Sequence, residues 1–163
     1  MTALKPRQPD IGYVPTPHKI TRSLLNFAKV NSTDIFYDLG SGDGRILIEA
    51  ALRWGMRGVG IDIDPQRLQQ AQDNAQTAGV EGLLEFRQGD LFESDFREAT
   101  VVFIYLLPHL NLRLRSRLQQ QLQPGSRIIS KDFDMGDWLP HKTLFLPAKT
   151  EDDEEVTLYL WQV

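Results

Sequence analysis

Apolar residues along the chain alternate between short continuous runs, typical of buried strands, and the three- and four-residue spacings of amphipathic helices. Short apolar runs predict five strands, at residues 35–39, 58–62, 83–87, 101–106 and 127–131. Helical spacing predicts four helices, over residues 17–30, 46–54, 65–78 and 110–122. Two more apolar runs, 143–146 and 156–162, have no helix between them and predict a terminal hairpin.

This order of elements predicts the fold class. Strands that alternate with helices form a parallel sheet with helices on both faces, and a terminal hairpin adds antiparallel pairing. We therefore predict a doubly wound α/β fold with a mostly parallel seven-stranded sheet and a C-terminal antiparallel strand. Residues 17–163 form this single domain, and the proline-rich residues 1–16 precede it as an arm. Thr16 is expected to cap the first helix, with Pro17 in its first turn.

The strongest chemical signal is the segment Asp38-Leu39-Gly40-Ser41-Gly42-Asp43-Gly44-Arg45, which follows the first strand and opens a helix. Its glycines allow a tight turn and a close backbone approach to a ligand. A dinucleotide site needs G-x-G-x-x-G, and the third glycine of that pattern would fall at Arg45. The Asp38 carboxylate would also repel a pyrophosphate, whereas it suits a cation such as S-adenosylmethionine (SAM), which carries a sulfonium and an ammonium group.

Acidic residues also follow the next two predicted strands. Asp62 comes after Asp38 at about the spacing of an acid that binds ribose hydroxyls. Asp90 lies in Gln88-Gly89-Asp90-Leu91-Phe92, where it can accept a hydrogen bond from an adenine amino group while an apolar neighbour packs on the base. Ligands of open α/β sheets bind beyond the carboxyl ends of the strands, so all three acids are expected to meet there.

Composition excludes several classes of site. The 163 residues contain no cysteine, which excludes disulfides, thiolate zinc sites and cysteine nucleophiles, and we expect no metal. The net charge of −4 disfavours nucleic acid as a partner, because nucleic-acid binders are usually basic. The longest apolar run, 101–108, is too short to span a bilayer, so we expect a soluble, cytoplasmic protein without membrane insertion.

Asp38–Gly44, Asp62 and Asp90 together resemble the three cofactor motifs of class I SAM-dependent methyltransferases, and the resemblance covers about residues 11–163. More narrowly, Tyr13-Val14-Pro15-Thr16 upstream of Asp38–Ile46 resembles small lysine methyltransferases related to the enzyme that modifies the membrane ring protein of ATP synthase, its c-subunit. The resemblance implies SAM as the cofactor. It also implies a set of cofactor-binding residues: Asp38, Gly40, Ser41, Gly42, Gly44, Asp62, Ile63, Asp90 and Leu91.

The resemblance also implies where the methyl acceptor binds. The fourth strand ends in Tyr105-Leu106-Leu107-Pro108, at the loop that meets the substrate in class I enzymes. The motif Asn/Asp-Pro-Pro-Tyr, which marks methylation of bases or glutamine, is absent there. We therefore expect a protein substrate with a lysine acceptor and Tyr105 in the methyl-transfer channel. Other residues expected at the substrate rim are Tyr13, Asp134, Asp137 and Trp138. The acidic run 151–155 is expected to form a solvated hairpin tip.

Two other functions use the same motifs. A small-molecule N- or O-methyltransferase would share the cofactor site, but few residues lie outside the core elements to build a lid over a small ligand. A nonenzymatic module that binds SAM or a nucleotide would need no acceptor residues, and intact motifs at three strand ends disfavour it. Methyl transfer to a protein lysine is therefore the favoured interpretation.

Overall fold

Seven strands form one mixed sheet in the computed structural model, which describes residues 16–163. They are β1 (Ile35–Leu39), β2 (Arg57–Asp62), β3 (Leu84–Gln88), β4 (Val101–Ile104), β5 (Arg127–Lys131), β6 (Lys142–Leu146) and β7 (Val156–Gln162). Their order across the sheet is β3-β2-β1-β4-β5-β7-β6. The first five pair in parallel, and β7 runs antiparallel to both β5 and β6. The predicted fold class, including its antiparallel strand, is confirmed.

Helices cover both faces of this sheet. They are α1 (His18–Phe27), α2 (Arg45–Trp54), α3 (Pro65–Ala78) and α4 (Pro108–Gln121). One face packs against α1 and α2, where Leu24 and Leu47 are buried together with Phe36 of β1. The opposite face packs against α4 through the row of leucines that the sequence places at four-residue spacing, including Leu114. The apolar side chains of the central strands thus contribute to two layers, one on each face of the sheet, as a doubly wound sheet requires.

The register of the parallel strands brings their ends to one edge. Leu39 lies opposite Ile61 and Ile104, and Ile104 lies opposite Ser130. Because these strands run in one direction, the residues that follow them also lie side by side: Gly40, Asp62, Tyr105 and Lys131. We call this end of the sheet the carboxyl edge; ligands of open α/β sheets bind there.

Local chemistry sets the helix boundaries. Asp64 caps α3 by accepting from the backbone N–H of Gln66 at 2.9 Å, and Pro65 occupies the first position, where proline is favoured. The predicted cap at Thr16 is wrong: Pro17 occupies the cap position, and α1 begins at His18. Since the carbonyl of Pro17 accepts from the backbone N–H and the hydroxyl of Thr21, the first helical turn closes on Pro17 instead.

The predicted arm, residues 1–16, lies outside the described residues except for Thr16, and so does Tyr13. Thr16 is buried, and its carbonyl accepts a hydrogen bond from Arg45 Nη1 at 3.0 Å. This bond fastens the chain entering α1 to the first turn of α2, close to the carboxyl edge. Among residues 16–163, no helix combines the length and apolar character needed to cross a membrane.

Candidate active site

The turn after β1 forms the centre of the carboxyl edge. Gly40, Gly42 and Gly44 have φ values of 94°, 56° and 81°, in the region that residues with a side chain rarely adopt. At Gly40, an added Cβ atom would meet no heavy atom within 4 Å, so the space above this part of the turn is open. Gly44 instead packs closely, with its Cβ position 3.1 Å from Ala71 and from Phe86. The turn is therefore open at its start and fixed against α3 and β3 at its end.

Asp62, at the end of β2, holds this turn in place. Its Oδ2 accepts from the backbone N–H of Gly42 at 2.9 Å, and its Oδ1 accepts from that of Asp64 at 2.9 Å. The residue is 7% exposed. A carboxylate has about four acceptor sites, so two backbone bonds leave capacity for further donors. Asp62 thus shapes the glycine turn and keeps acceptor capacity for a ligand, and its predicted ribose contact stays a prediction.

Asp38 lies beside Asp62 at the same edge and is 2% exposed. Burial raises the pKa of the Asp38 carboxyl to about 8, and repulsion from the carboxylates of Asp62 and Asp43 adds to the rise. Arg45 pairs with Asp43 at 2.9 Å. The edge therefore gathers acidic groups around the Gly40 turn, and a bound cation would stabilise their ionised form.

Ser41 occupies the middle of the turn and is buried against β2. A Cβ atom added at Gly60 would lie 2.7 Å from both Cβ and Oγ of Ser41, so the turn approaches β2 as closely as only glycine permits. The Ser41 Oγ is buried, and among residues 16–163 it has no hydrogen-bond partner. A buried hydroxyl without a partner is costly, which marks Ser41 as a group that a ligand at this edge can satisfy.

The loop after β3 supplies the third predicted motif. Asp90 Oδ1 accepts from the backbone N–H of Phe92 at 2.9 Å, and the Asp90 carbonyl accepts from Ser94 Oγ at 2.8 Å. Leu91 is partly buried against the core beneath. Ile63 is also partly buried, between the turn-holding Asp62 and the helix-capping Asp64. Asp90 therefore shapes its own loop, while the adenine contacts of Asp90 and Leu91 stay predictions.

Tyr105 lies at the carboxyl edge, but its ring already has partners. The ring of Phe133 lies nearly parallel to it, with centroids 6.1 Å apart, and Lys131 Nζ lies 4.4 Å from the Tyr105 centroid. Lys131 is fully buried and donates to Glu154 Oε1 at 2.9 Å. The sequence patterns gave Lys131 no role at the site, and they placed Glu154 only in the acidic run 151–155. A signal for Lys131 was available, because a charged residue ends an otherwise uncharged strand interior at the ligand-binding edge.

The acidic run 151–155 lies in the connection between β6 and β7, and four of its five residues are exposed, as predicted for a solvated hairpin tip, but two of them also form ion pairs. Glu154 pairs with buried Lys131, and Asp153 Oδ2 accepts from Lys19 Nζ of α1 at 3.0 Å. The reason lies in the topology: β6 runs parallel to β5, so the connection from β6 to β7 returns to the carboxyl edge. A cavity of about 400 Å³ separates this connection from α1, with Ile20, Leu146 and Glu154 among its lining residues.

The remaining predicted rim residues do not gather around Tyr105. Asp137 is exposed and pairs with Arg115 of α4. Trp138 packs against Trp161 on the opposite face of the sheet, with ring centroids 6.0 Å apart. Asp134 stays closest to the edge along the chain, because it follows Lys131 by three residues.

Asn111 of α4 holds the start of this loop, a role that the sequence analysis missed. Its side-chain Nδ2 donates to the carbonyls of Phe133 and Asp134, at 3.2 Å each. It is fully buried. Asn111 therefore ties the segment that carries the Phe133 ring to α4, on the far side of the sheet from α1.

Comparison with known proteins identifies the family. Residues 38–142 match the family model described as the ANTKMT methyltransferase domain. The chain is also 40% identical over 157 residues to a protein-lysine N-methyltransferase of Saccharolobus islandicus, an alignment that covers 95% of each chain. The chain belongs to this methyltransferase family.

Two further relatives name different acceptors. The Xenopus laevis lysine N-methyltransferase named for the c-subunit of ATP synthase is 32% identical over 80% of this chain, which spans 57% of that protein's length. The RNA methyltransferase from Salinibacter ruber, solved in complex with S-adenosyl-L-homocysteine, is 53% identical. Its structure superposes with a TM-score of 0.85 over 91% of this chain and 93% of that one. The names of these two proteins thus specify different acceptors, a protein lysine and RNA.

The protein is a SAM-dependent methyltransferase, and its carboxyl edge fits that cofactor. Buried carboxylates at Asp38 and Asp62 complement the positive charges of SAM, and the open space above Gly40 leaves room for it. The unpartnered hydroxyl of Ser41 lies in the same turn. Within the described part of the chain, no cluster of three or more histidine and acidic side chains can hold a metal ion.

Proposed function

We propose that this methyltransferase methylates lysine side chains of a protein. The observation that carries the proposal is the 40% identity to a protein-lysine N-methyltransferase along 95% of both chains. An alignment of that extent includes the acceptor side, β4 to β7, as well as the cofactor motifs. The Xenopus laevis relative, whose name also specifies a lysine acceptor, supports the same choice.

The architecture of the carboxyl edge supports a large acceptor. Gly40 opens onto free space, and the short connections at this edge leave the described part of the chain without a separate lid domain. The net charge of −4 favours a basic protein segment over a polyanion. A protruding lysine side chain would enter between the end of β4 and the β6–β7 connection, with the rest of the partner outside.

The chemistry divides between the cofactor and the chain. When bound, SAM would supply an electrophilic methyl group on a sulfonium, and the Gly40 turn with Asp38 and Asp62 would hold it. The chain holds the acceptor nitrogen in line and excludes water, which is the main contribution that such an enzyme makes. The lysine must arrive neutral, and desolvation at the partly buried Tyr105 favours the neutral amine. Asp134 is the candidate to hold the ammonium before its proton passes to water.

A second acceptor class, RNA, has one specific observation in its favour: the Salinibacter ruber relative is named an RNA methyltransferase and is 53% identical. Affinity for RNA rests largely on lysine and arginine contacts to phosphates. At this edge, Lys131 is fully buried, and the nearby Lys19 pairs with Asp153. Charge at the site therefore favours the protein acceptor.

Incubation with isotope-labelled SAM and a cell lysate tests the proposal. One portion is digested with protease and another with ribonuclease, and the labelled products are separated and hydrolysed. We expect label on protein, as methylated lysine detected by mass spectrometry, and much less of it with Asp62→Ala. Label that only ribonuclease releases would establish the RNA acceptor instead. Label confined to small metabolites would contradict both macromolecular choices.

A further inference from the structure

We infer that Lys131, held by Glu154, is a positioning residue for methyl transfer: it fixes the Tyr105 ring on the acceptor side of the carboxyl edge. The inference deepens the proposed function and rests on its placement of the acceptor beside Tyr105. Lys131 Nζ lies 4.4 Å from the Tyr105 ring centroid, and Glu154 Oε1 lies 2.9 Å from the same nitrogen.

The sheet register makes the contact between Lys131 and Tyr105 direct. Ile104 lies opposite both Leu39 and Ser130, so Gly40, Tyr105 and Lys131 follow one another across the edge of three neighbouring strands. Tyr105 therefore lies between the cofactor turn and the buried lysine. A change at Lys131 would therefore act first on the Tyr105 ring that it contacts.

The burial of Lys131 is not explained by stability. An ammonium at 0% exposure loses its hydration, and a well-packed apolar residue in its place is often neutral or stabilising. The lysine can be compensated only where Glu154 and an aromatic ring both face it. Its charge thus ties three elements together: the end of β4, the end of β5 and the β6–β7 connection.

The β6–β7 connection depends on this tie for its position. Glu154 is attached through Lys131 to the sheet, and Asp153 is attached through Lys19 to α1. The Glu154 side chain is 47% exposed, and Glu154 lines the cavity between this connection and α1. Since misplacement of a reacting group by a fraction of a bond length lowers the rate, loosening this tie is expected to slow transfer without weakening the cofactor site.

The test uses Lys131→Met, Glu154→Gln and the double variant Lys131→Met/Glu154→Met in the full chain. Glu155→Gln, in the same connection and exposed, is the matched control. Calorimetry measures the SAM affinity of each variant, and urea unfolding measures its stability. The kcat/KM of each variant is measured with the lysate protein fraction as the acceptor. We expect kcat/KM for the acceptor to fall about tenfold in all three, with the SAM Kd within about twofold of wild type.

The double variant separates positioning from stability. It removes both charges, so its stability is expected to return to that of wild type while kcat/KM stays low. Wild-type kcat/KM in the double variant would overturn the inference, as would a loss of SAM affinity in step with turnover. Fluorine NMR of protein labelled with fluorotyrosine, assigned with Tyr105→Phe, gives a readout independent of turnover. The Tyr105 signal should shift or broaden with Lys131→Met and stay unchanged with Glu155→Gln; an unchanged signal in both contradicts the inference.

Failure of the proposed function remains distinguishable from failure of this inference. The hydrolysed label identifies the acceptor, which tests only the proposed function. The ratio of rates between variants is taken on whichever acceptor carries the label. If lysine is methylated and the variants react as fast as wild type, only the positioning role of Lys131 is rejected. If the label is on RNA and the variants react about tenfold more slowly than wild type, the positioning role is supported and the lysine acceptor is rejected.

Discussion

Asp38 and Asp62 place two buried carboxylates at the ends of neighbouring strands, where the charge of Asp62 helps to raise the pKa of Asp38. Asp38 lies opposite Gly60, so Asp62 extends just beyond it at the carboxyl edge. Burial, and then repulsion from Asp62 and Asp43, raises the pKa of Asp38 to about 8. A bound cation reverses this balance, because it stabilises the ionised carboxylate. The pair is thus prepared for a positively charged ligand.

SAM affinity should therefore increase with pH. Below about pH 8, Asp38 is protonated in the free protein, and a bound sulfonium or ammonium must displace that proton. We expect the Kd for SAM to fall as the pH rises from roughly 6.5 to 8.5. At roughly pH 6.5, binding of SAM should release a proton. Calorimetry in two buffers of different ionisation enthalpy measures both. Asp38→Asn should bind weakly with a flat pH profile; a flat profile in wild type would contradict the mechanism.

The same group sets a trend in stability. The pKa of Asp38 is raised in the folded protein from 3.8 to about 8. Its contribution to the free energy of unfolding is therefore fully present below about pH 4 and is lost as the pH rises to about 8. We expect Asp38→Asn to gain stability over wild type between roughly pH 5 and 9, by a few kcal/mol on the order-of-magnitude scale of such shifts. Urea unfolding without ligand measures it. An unchanged difference across that range would contradict the burial argument.

The cofactor half of the site was predictable because short-range rules build it. Asp38, the Gly40 turn and Asp62 lie within one β-α-β unit, and strand ends of a parallel sheet always meet at one edge. The cap at Asp64 and the stop at Gly79 follow from local chemistry in the same way. The prediction that Thr16 caps α1 failed because Ser, Thr and Pro all suit the start of a helix. The choice between adjacent positions depends on how the first helical turn closes.

The acceptor half depends on long-range contacts, which pattern alone does not show. Lys131 and Glu154 are separated by a loop and a strand, and their pairing follows only from the return of the β6–β7 connection to the edge. Trp138 is the reverse case, a residue that was predicted at the substrate rim and lies elsewhere. It comes soon after a strand end, yet its loop crosses the α4 face and packs it on Trp161. Distance along the chain from a strand end therefore predicts a site only for the first one or two residues.

Asp62→Ala should weaken both ligand binding and the fold. The variant removes a carboxylate that accepts from Gly42 and Asp64 in the turn and is predicted to accept from the ribose of SAM. We expect a loss of about 1–3 kcal/mol in SAM binding and a measurable loss of stability. Asp64→Ala is the control, since loss of that helix cap costs about 1 kcal/mol of stability and leaves SAM affinity near wild type. Equal SAM affinity in both variants would remove the ribose assignment.

Gly60→Ala should displace the Gly40 turn, because Gly60 of β2 packs directly against Ser41 in that turn. The added Cβ would lie 2.7 Å from Ser41 Cβ and Oγ and 2.9 Å from the ring of Phe86, so the turn must move. Overpacking of this kind costs about 1–3 kcal/mol of stability, and displacement of Ser41 should also weaken SAM binding. Gly82→Ala is the matched control, because no heavy atom lies within 4 Å of its Cβ position. Wild-type SAM affinity in Gly60→Ala would show that the turn can move without cost to the site.

Tyr105→Ala should lower turnover much more than SAM affinity. Tyr105 follows β4, between the strands that lead to Gly40 and Lys131, and its ring contacts Phe133 and Lys131, so its removal takes one contact from the buried lysine and one wall from the proposed acceptor entry. We expect kcat/KM for the acceptor to fall by about tenfold or more, with the SAM Kd changed by less than about threefold. Tyr105→Phe separates the ring from its hydroxyl: near-wild-type turnover assigns the effect to the ring, and a loss equal to that of Tyr105→Ala assigns it to the hydroxyl. If Tyr105→Ala instead weakens SAM binding as much as it slows turnover, Tyr105 belongs to the cofactor site, and the acceptor does not enter beside it.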